Sequence, residues 1–133
     1  MSPATRTTGE AERGSAPAEF VLVGGLLTLL TLAVLQLGLA MYVRNVVHDA
    51  AVEGAHHAAL ADSDQARGIE RTRSVIERAV GPQYADDVTA VFTTTGGAAS
   101  VTVTVRTVLP LVGLLGVPAA LEVSASAPVE TLP

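Results

Sequence analysis

Residues 20–43 read FVLVGGLLTLLTLAVLQLGLAMYV, a run of 24 residues without a charged side chain. At a rise of about 1.5 Å per residue, a helix of this length covers the roughly 30 Å of a bilayer's hydrocarbon core. The apolar region of a cleaved secretory signal is shorter, about 7–15 residues. The run therefore predicts a single helix that crosses a membrane.

Positive charges are unevenly distributed around this run. Arg6, Arg13 and the amino terminus precede it, whereas Arg44 alone follows within the distance that influences insertion. Because positively charged flanks tend to remain in the cytoplasm, the pattern predicts a cytoplasmic N-terminus. Residues from 44 onward are then expected outside the cytoplasm.

The composition limits the class of function. Eight basic residues, all of them arginine, stand against thirteen acidic ones, and the formal net charge of -5 argues against a nucleic-acid partner. A chain of 133 residues without cysteine allows one modest domain beside an anchor, with neither a disulfide nor a thiolate metal site. The sequence contains no catalytic-triad pattern, phosphate-binding loop or dinucleotide fingerprint. We therefore expect a protein that is not an enzyme and has no cofactor.

Three histidines are the remaining candidate metal ligands. His48, His56 and His57 lack the spacing of three or four residues that places two ligands on one helix face. Glu53 and His57 do have a spacing of four, but two ligands make a poor site. We expect no bound metal.

The helical period continues past Arg44 to about residue 61, so that the long helix is expected to lie partly in lipid and partly beyond it. Small residues form a stripe on this second part, namely Val46, Val47, Ala50, Ala51, Gly54, Ala55 and Ala58. A second, amphipathic helix is indicated by Asp62 and Gln65, which are spaced as a capping box, and by the stop signal Gly81-Pro82. Its apolar face is predicted to contain Ala66, Ile69, Thr72, Ile76, Ala79 and Val80.

From residue 87 the hydrophobic period changes from helical to two, which indicates strands. The alternating apolar positions are Val88, Ala90 and Phe92, then Val101, Val103 and Val105, and finally Leu121, Val123, Ala125 and Ala127 before Pro128. Gly96-Gly97 marks a turn between the first two sets. The pattern predicts a small antiparallel sheet of about three strands and, with the helices, an α+β fold.

The stretch VLPLVGLLGVPAA, residues 108–120, is apolar but broken by proline and glycine. It is too short to span a bilayer. It is interpreted either as a loop or single helical turn that closes over the sheet, or as a surface that touches lipid or a partner subunit.

Glu19 stands directly before the charge-free run. A carboxylate drawn into the bilayer costs up to a few kcal/mol, so its position indicates a function unless the side chain simply reaches the headgroups. Gly14 and Ser15 precede it in RGSAPAEF, residues 13–20. A cut after Gly14 would leave a new amino group on Ser15, four residues before the acid.

This stretch resembles a known processing site. Gly14, with an acid at the fifth following position and an apolar helix after it, is similar to the cleavage site of type IV prepilins. RGSAPAEF is closer still to the TadE-like pseudopilins of tight-adherence (Tad, Flp) pilus systems. The resemblance covers about residues 13–60 and continues through Gln36-Leu37-Gly38, Tyr42-Val43-Arg44-Asn45, Asp49-Ala50-Ala51 and Glu53-Gly54-Ala55.

The resemblance implies a minor pseudopilin of the bacterial inner membrane with a pilin-like fold. A prepilin peptidase would cut between Gly14 and Ser15, and the new amine would be neutralised by Glu19 of the same or an adjacent subunit. Gly24, Gly25 and Gly38 would let its helix approach those of other pilins and pseudopilins. Ser15 and the residue after it replace the bulky apolar residues common in major pilins, which favours an accessory role.

The expected organisation is a cleaved leader over residues 1–14, a long helix over 15–61 with its transmembrane part at 20–43, and an exported α+β head over 62–133. An alternative remains open at this point. The chain could be a single-pass, membrane-anchored extracytoplasmic binding module without a pilus role.

Overall fold

The computed structural model describes residues 9–109 and 120–131. Helix α1 spans Gly9–Ala59, helix α2 spans Gln65–Ala79, and a short 3₁₀ helix spans Pro82–Tyr84. Three strands follow, β1 at Asp87–Thr95, β2 at Ala98–Val108 and β3 at Ala120–Pro128. The predicted α+β class, with a long apolar N-terminal helix, a second helix and three antiparallel strands, is confirmed.

The chain forms two compact units, one ending at Leu35 and the other spanning Gln36–Pro133. In the first unit the residues from Arg13 onward are exposed on every side of α1. The long helix, expected to begin at residue 15, already begins at Gly9, within the predicted leader. The first eight residues of that leader, and residues 110–119 of the predicted apolar stretch, lie outside the described residues.

The second unit, called the head below, has a core made almost entirely of small side chains. One face of α1 is buried in it, through Val43, Val47, Ala50, Ala51, Ala55 and Ala58, each at most 1% exposed. The predicted small-residue stripe therefore has a partner within the same chain, since it packs in one core with α2 and the sheet. Small side chains let the helix axis lie close to the sheet, and the small area that each one buries limits its contribution to stability.

Helices α1 and α2 meet backbone to backbone at two glycines. A Cβ atom added to Gly68 would lie 2.5 Å from the Cβ of Ala58 and 2.9 Å from the carbonyl oxygen of Gly54. A Cβ added to Gly54 would overlap the side chain of Thr72 and lie 2.8 Å from the Gly68 carbonyl oxygen. Only hydrogen fits at both positions, so this contact sets the spacing of the two helices.

The start of α2 differs from the prediction. Leu60 to Ser63 form a turn, in which the Ser63 N–H donates to the Leu60 carbonyl at 3.0 Å. The cap is Asp64, whose extended backbone lets its carboxylate accept from the Arg67 N–H at 2.9 Å. The predicted capping box at Asp62 is therefore wrong by two residues, because the turn occupies that position. The predicted stop at Gly81-Pro82 is confirmed, with α2 ending at Ala79.

The buried face of α2 also differs in part from the prediction. Gly68, Thr72 and Ile76 are buried, whereas Ala66 and Ala79 are exposed. The Thr72 hydroxyl is satisfied inside the core by donating to the Gly68 carbonyl at 2.9 Å. A buried threonine is tolerated here because its only polar side-chain atom has a partner within its own helix.

The sheet is an antiparallel meander in the order β1-β2-β3. Thr95 pairs with Ala98, so Gly96 and Gly97 form a two-residue hairpin turn with φ values of 61° and 85°. Positive φ at both positions suits the right-handed twist of the flanking strands and favours glycine. The face toward α1 carries Val101, Val103 and Val105 of β2, all fully buried, together with Leu121, Val123, Ala125 and Ala127 of β3.

Strand β1 is covered less completely than its alternation predicts. Val88 is buried and Ala90 is half-buried, but Phe92 remains 40% exposed. Phe92 pairs with the buried Val101 and so faces the same side of the sheet. The prediction of its face is consistent with this register, whereas full burial of the strand is not observed.

The described C-terminal residues fix the direction of β3 relative to the second half of α1. The Glu130 N–H donates to the carbonyl of Ala59, the last residue of α1, at 2.9 Å. The beginning of β3, at Glu122, instead lies beside Arg44 and His48 of α1. Strand β3 therefore runs in the same direction as this part of the helix.

The glycine contact yields a stability prediction. Gly54→Ala is expected to lower the free energy of unfolding of the head by about 1–3 kcal/mol, because overpacking outweighs the gain of roughly 0.5–1 kcal/mol in helix propensity. Gly38→Ala is the matched control, since a Cβ at Gly38 meets no atom within 4 Å. Denaturant unfolding of the two variants measures the difference, and equal stabilities would contradict the close packing.

Candidate functional site

The predicted processing residues all lie on α1. Gly14, Ser15 and Glu19 are exposed, and a Cβ at Gly14 would meet no atom within 4 Å. Ser15 and Glu19 are four residues apart in the helix, so their side chains lie on the same face, with Cβ atoms about 5–6 Å apart. The helix therefore brings the carboxylate to the side of Ser15, whereas Gly14 provides an open backbone position immediately before it.

Pro17 lies inside α1, which begins eight residues earlier at Gly9. Proline has no N–H, so the carbonyl of Arg13, four residues earlier, lacks its usual helical donor. A proline in a helix interior costs about 3 kcal/mol or more, whereas in the first turn it costs nothing comparable. The position of Pro17 is therefore unfavourable in a helix that begins at Gly9 and favourable in one that begins at Ser15.

The apolar run is exposed along its length. Large side chains between Phe20 and Leu39 are 44–79% exposed, with Phe20 and Leu22 among the highest. Of the described helices, α1 alone is long and apolar enough to cross a membrane, by length and composition. Exposed apolar surface of this extent marks a lipid or protein contact.

Two threonines in the run have no free hydroxyl hydrogen. Thr28 donates to the Gly24 carbonyl and Thr31 donates to the Leu27 carbonyl, each at 2.8 Å. Each hydroxyl thus has a hydrogen-bond acceptor within its own helix. Such an internal partner is needed in hydrocarbon, because lipid tails offer none. The two threonines are therefore compatible with a lipid environment.

The three glycines predicted for helix packing occupy different places. A Cβ on Gly24, Gly25 or Gly38 meets nothing within 4 Å, so each faces open space in the described chain. At 3.6 residues per turn, Gly24 shares a face with Thr28 and Thr31, whereas Gly25 lies about 100° away. Gly38 belongs to the head unit, on the side of α1 opposite the buried Ala40 and Val43.

Known protein families provide a comparison for this segment. The sequence model of the family described as TadE-like protein matches residues 14–56. Residues 14–56 are therefore similar to the TadE-like family. No curated protein and no solved structure matches the chain. The family is structural and pilus-associated, and the match indicates a component associated with a Tad pilus.

The TadE-like segment contains the predicted processing residues, the apolar run and most of the core face of α1. It begins at Gly14 and ends at His56, before α2 and the sheet. The predicted resemblance over about residues 13–60 is confirmed. The family model does not extend to the remainder of the head, from α2 to β3.

Outside the apolar run, two ion pairs were not anticipated from the sequence. Glu53 had a possible partner in His57, but in the structure its carboxylate accepts from the Arg71 Nε at 2.7 Å. On the outer face of the sheet the Arg106 Nε donates to Glu122 at 2.7 Å. The alternating patterns of β2 and β3 do not by themselves show that Arg106 faces Glu122. That pairing follows only from the register of the two strands.

The electrostatic effect of these pairs is modest. Both members of each pair are about half exposed, so each pair contributes little to stability. Hydrogen bonding to Glu122 and its charge raise the pKa of Arg106 above its ordinary value. Within residues 9–109 and 120–131, no group of three or more potential metal ligands is present.

The exposed apolar run yields an insertion prediction. Leu30→Arg places a charge near the middle of the run and is expected to oppose membrane insertion by about 2.5–3.5 kcal/mol. We expect a large fall in the alkali-resistant membrane fraction. Leu60→Arg is the control, because Leu60 is 39% exposed but lies outside the run. Equal membrane fractions for the two variants would show that the run does not anchor the protein.

Proposed function

We propose that this protein is a minor pseudopilin, a non-enzymatic component of the assembly of a Tad/Flp-type pilus or a related secretion fibre. The observation that carries the proposal is the TadE-like match beginning at Gly14, with Pro17 and Glu19 placed for a helix whose first residue is Ser15. In this proposal residues 1–14 form a cleaved leader, residues 15–61 the long helix and residues 62–133 the exported head.

Processing by a prepilin peptidase would cut the bond between Gly14 and Ser15. The unfavourable position of Pro17 supports this proposal, because the cut moves it from the interior of α1 to the first turn. The same cut removes the leader arginine beside the scissile bond, Arg13. The mature chain would then enter the membrane with Glu19 as its first charged side chain.

The proposed role of Glu19 is to neutralise the new amino group. On the same chain the amine and the carboxylate would lie about one helical turn apart. On neighbouring chains the pair would set the axial register of two packed helices. Opposite charges attract more strongly in a dry environment than in water, but an unpaired charge there is costly. Pairing therefore favours the assembled state over the isolated subunit.

The proposed location is the bacterial inner membrane, crossed once by residues 20–43. The N-terminus would be cytoplasmic and the head outside, as Arg6 and Arg13 before the run indicate. Entry into the pilus itself is compatible with this arrangement, because the exposed run can exchange lipid for neighbouring helices. The proposed partners are the peptidase, other pilins and pseudopilins, and pilus assembly proteins.

The face of α1 that carries Gly24, Thr28 and Thr31 is the proposed contact surface in the membrane. Small side chains allow close approach of helix backbones, and the internal hydrogen bonds of the two threonines leave this face without an unpaired hydroxyl hydrogen. Gly25 would allow close approach of a neighbouring helix on another face of α1, and Gly38 would do so farther along the helix.

Cleavage is the first test of the proposal. In cells with the cognate peptidase, the N-terminal residue of the membrane-bound chain is expected to be Ser15. Gly14→Val should block the cut, because the added side chain occupies the open position before the scissile bond. Gly25→Val is the control that leaves the site intact. An uncut wild-type chain in functional cells would refute the processing step.

Glu19 provides the second test. Glu19→Ala and Glu19→Gln should leave cleavage and insertion intact but lower co-purification with pilus subunits by about tenfold, the order expected for one charged hydrogen bond. Glu77→Ala, an exposed acid on α2, is the control and should have no effect. If both Glu19 variants co-purify as well as the wild type, the carboxylate has no pairing role.

A further inference from the structure

A groove of about 360 Å³ lies between α1 and β3, at the end of the head where Arg44 follows the charge-free run. From α1 it is lined by Arg44, Asn45 and His48, and from β3 by Glu122, Val123 and Ser124. Among the strands that the structure describes, β3 is at one edge of the sheet. Its volume is at the lower end of the range of about 300–1,000 Å³ typical of small-molecule sites.

The position of the groove relates it to the bilayer surface. The head buries Ala40 and Val43, the former 6% and the latter 1% exposed, and both belong to the charge-free run. Arg44 follows immediately and is the first charged residue beyond the run. The groove therefore begins directly beyond the run that is proposed above as the membrane span.

The height of the groove matches the headgroup layer. Arg44 and His48 are four residues apart, which is about 6 Å along the helix axis. A bilayer of about 40–45 Å with a hydrocarbon core of about 30 Å has a headgroup layer of about 5–8 Å on each side. The polar side chains of α1 in the groove therefore cover the level at which lipid phosphates lie.

The charges in the groove favour a phosphodiester. Arg44 forms no ion pair with any residue in the described part of the chain. Its planar guanidinium can bind two oxygens of a phosphate at once, and Asn45 and His48 can each add an N–H donor. Glu122 would repel an anion, but its carboxylate already accepts from Arg106 at 2.7 Å, which offsets its charge.

Ser124 is the remaining polar residue that lines the groove. The hydroxyl of Ser124 is hydrogen-bonded to that of Thr104 at 3.0 Å on the outer face of the sheet. The side chains of Glu122 and Ser124 are thus engaged on the outer face of the sheet, and the groove offers donors at Arg44, Asn45 and His48.

We propose that this groove binds the phosphodiester headgroup of one glycerophospholipid from the leaflet that faces the head. The lipid would tie the head to the membrane surface beside its own helix. The inference rests on the proposed membrane anchor but not on cleavage or on pilus assembly. It assigns Arg44 as the principal phosphate ligand, with His48 and Asn45 as supporting donors.

The test uses the full chain in detergent micelles that contain palmitoyl-oleoyl phosphatidylethanolamine and dioleoylglycerol in equal amounts. Native mass spectrometry is expected to show retention of the phospholipid and not of the diacylglycerol. Arg44→Gln should reduce that retention about tenfold, the order of one charged hydrogen bond. Arg44→Lys should give an intermediate value, because it keeps the charge but loses bidentate binding.

Arg73→Gln is the matched control. Arg73 is exposed on α2, so this substitution removes the same charge at a site away from the groove. Retention unchanged in Arg44→Gln, or reduced equally in Arg73→Gln, would overturn the proposal. Displacement of the lipid by inorganic phosphate at equal concentration would also overturn it, in favour of a free-anion site. A thermal transition like that of the wild type establishes that each variant is folded.

Membrane extraction of the wild type separates the two proposals. If the chain resists alkaline extraction but retains both lipids equally, the membrane anchor is supported and the headgroup site is refuted. A chain that is released by alkali loses the anchor on which both proposals depend.

Discussion

The burial of α1 changes at Ala40, and the rest of the structure depends on that change. From Arg13 to Leu39 the helix has no buried residue, whereas from Ala40 onward one face is covered by the sheet and α2. The apolar run exposes large hydrophobic side chains along its length, which favours a lipid or protein contact, whereas the small-residue face beyond it is packed in the core. One helix thus has two environments, and the boundary between them lies at Ala40, in the last turn of the charge-free run.

The small side chains of the core explain how the head fits on this helix. Alanine and valine dominate the buried face of α1, and glycines at 54 and 68 bring the backbones of the two helices together. Such a core gains little from each side chain but is intolerant of added volume. A Thr/Ser ladder on the outer face of the sheet, with Thr102 bonded to Ser126 at 2.7 Å, keeps that side polar. The head therefore presents one apolar side, which its own helix covers.

Much of this could be predicted because the relevant signals are local. The charge-free run, the period of two in the strands and the Gly96-Gly97 turn all specify their elements without tertiary context. The cap of α2 was misplaced because Asp62 and Asp64 are both good capping residues, and only the turn at Leu60–Ser63 decides between them. The role of Gly68 and the exposure of Phe92 depend on where α2 crosses its neighbours. The groove beside Arg44 could not be predicted either, since it depends on the direction of β3.

We infer that the same helix is surrounded by lipid before Ala40 and packs with one face in the core of the water-exposed head after it. The chain contains no cysteine, so single cysteines at Leu30 and at His56 can be labelled with a water-soluble maleimide in lipid nanodiscs. We expect fast labelling at position 56 and none at position 30 until the disc is dissolved in denaturant. Labelling of position 30 as fast as position 56 in intact discs would contradict it.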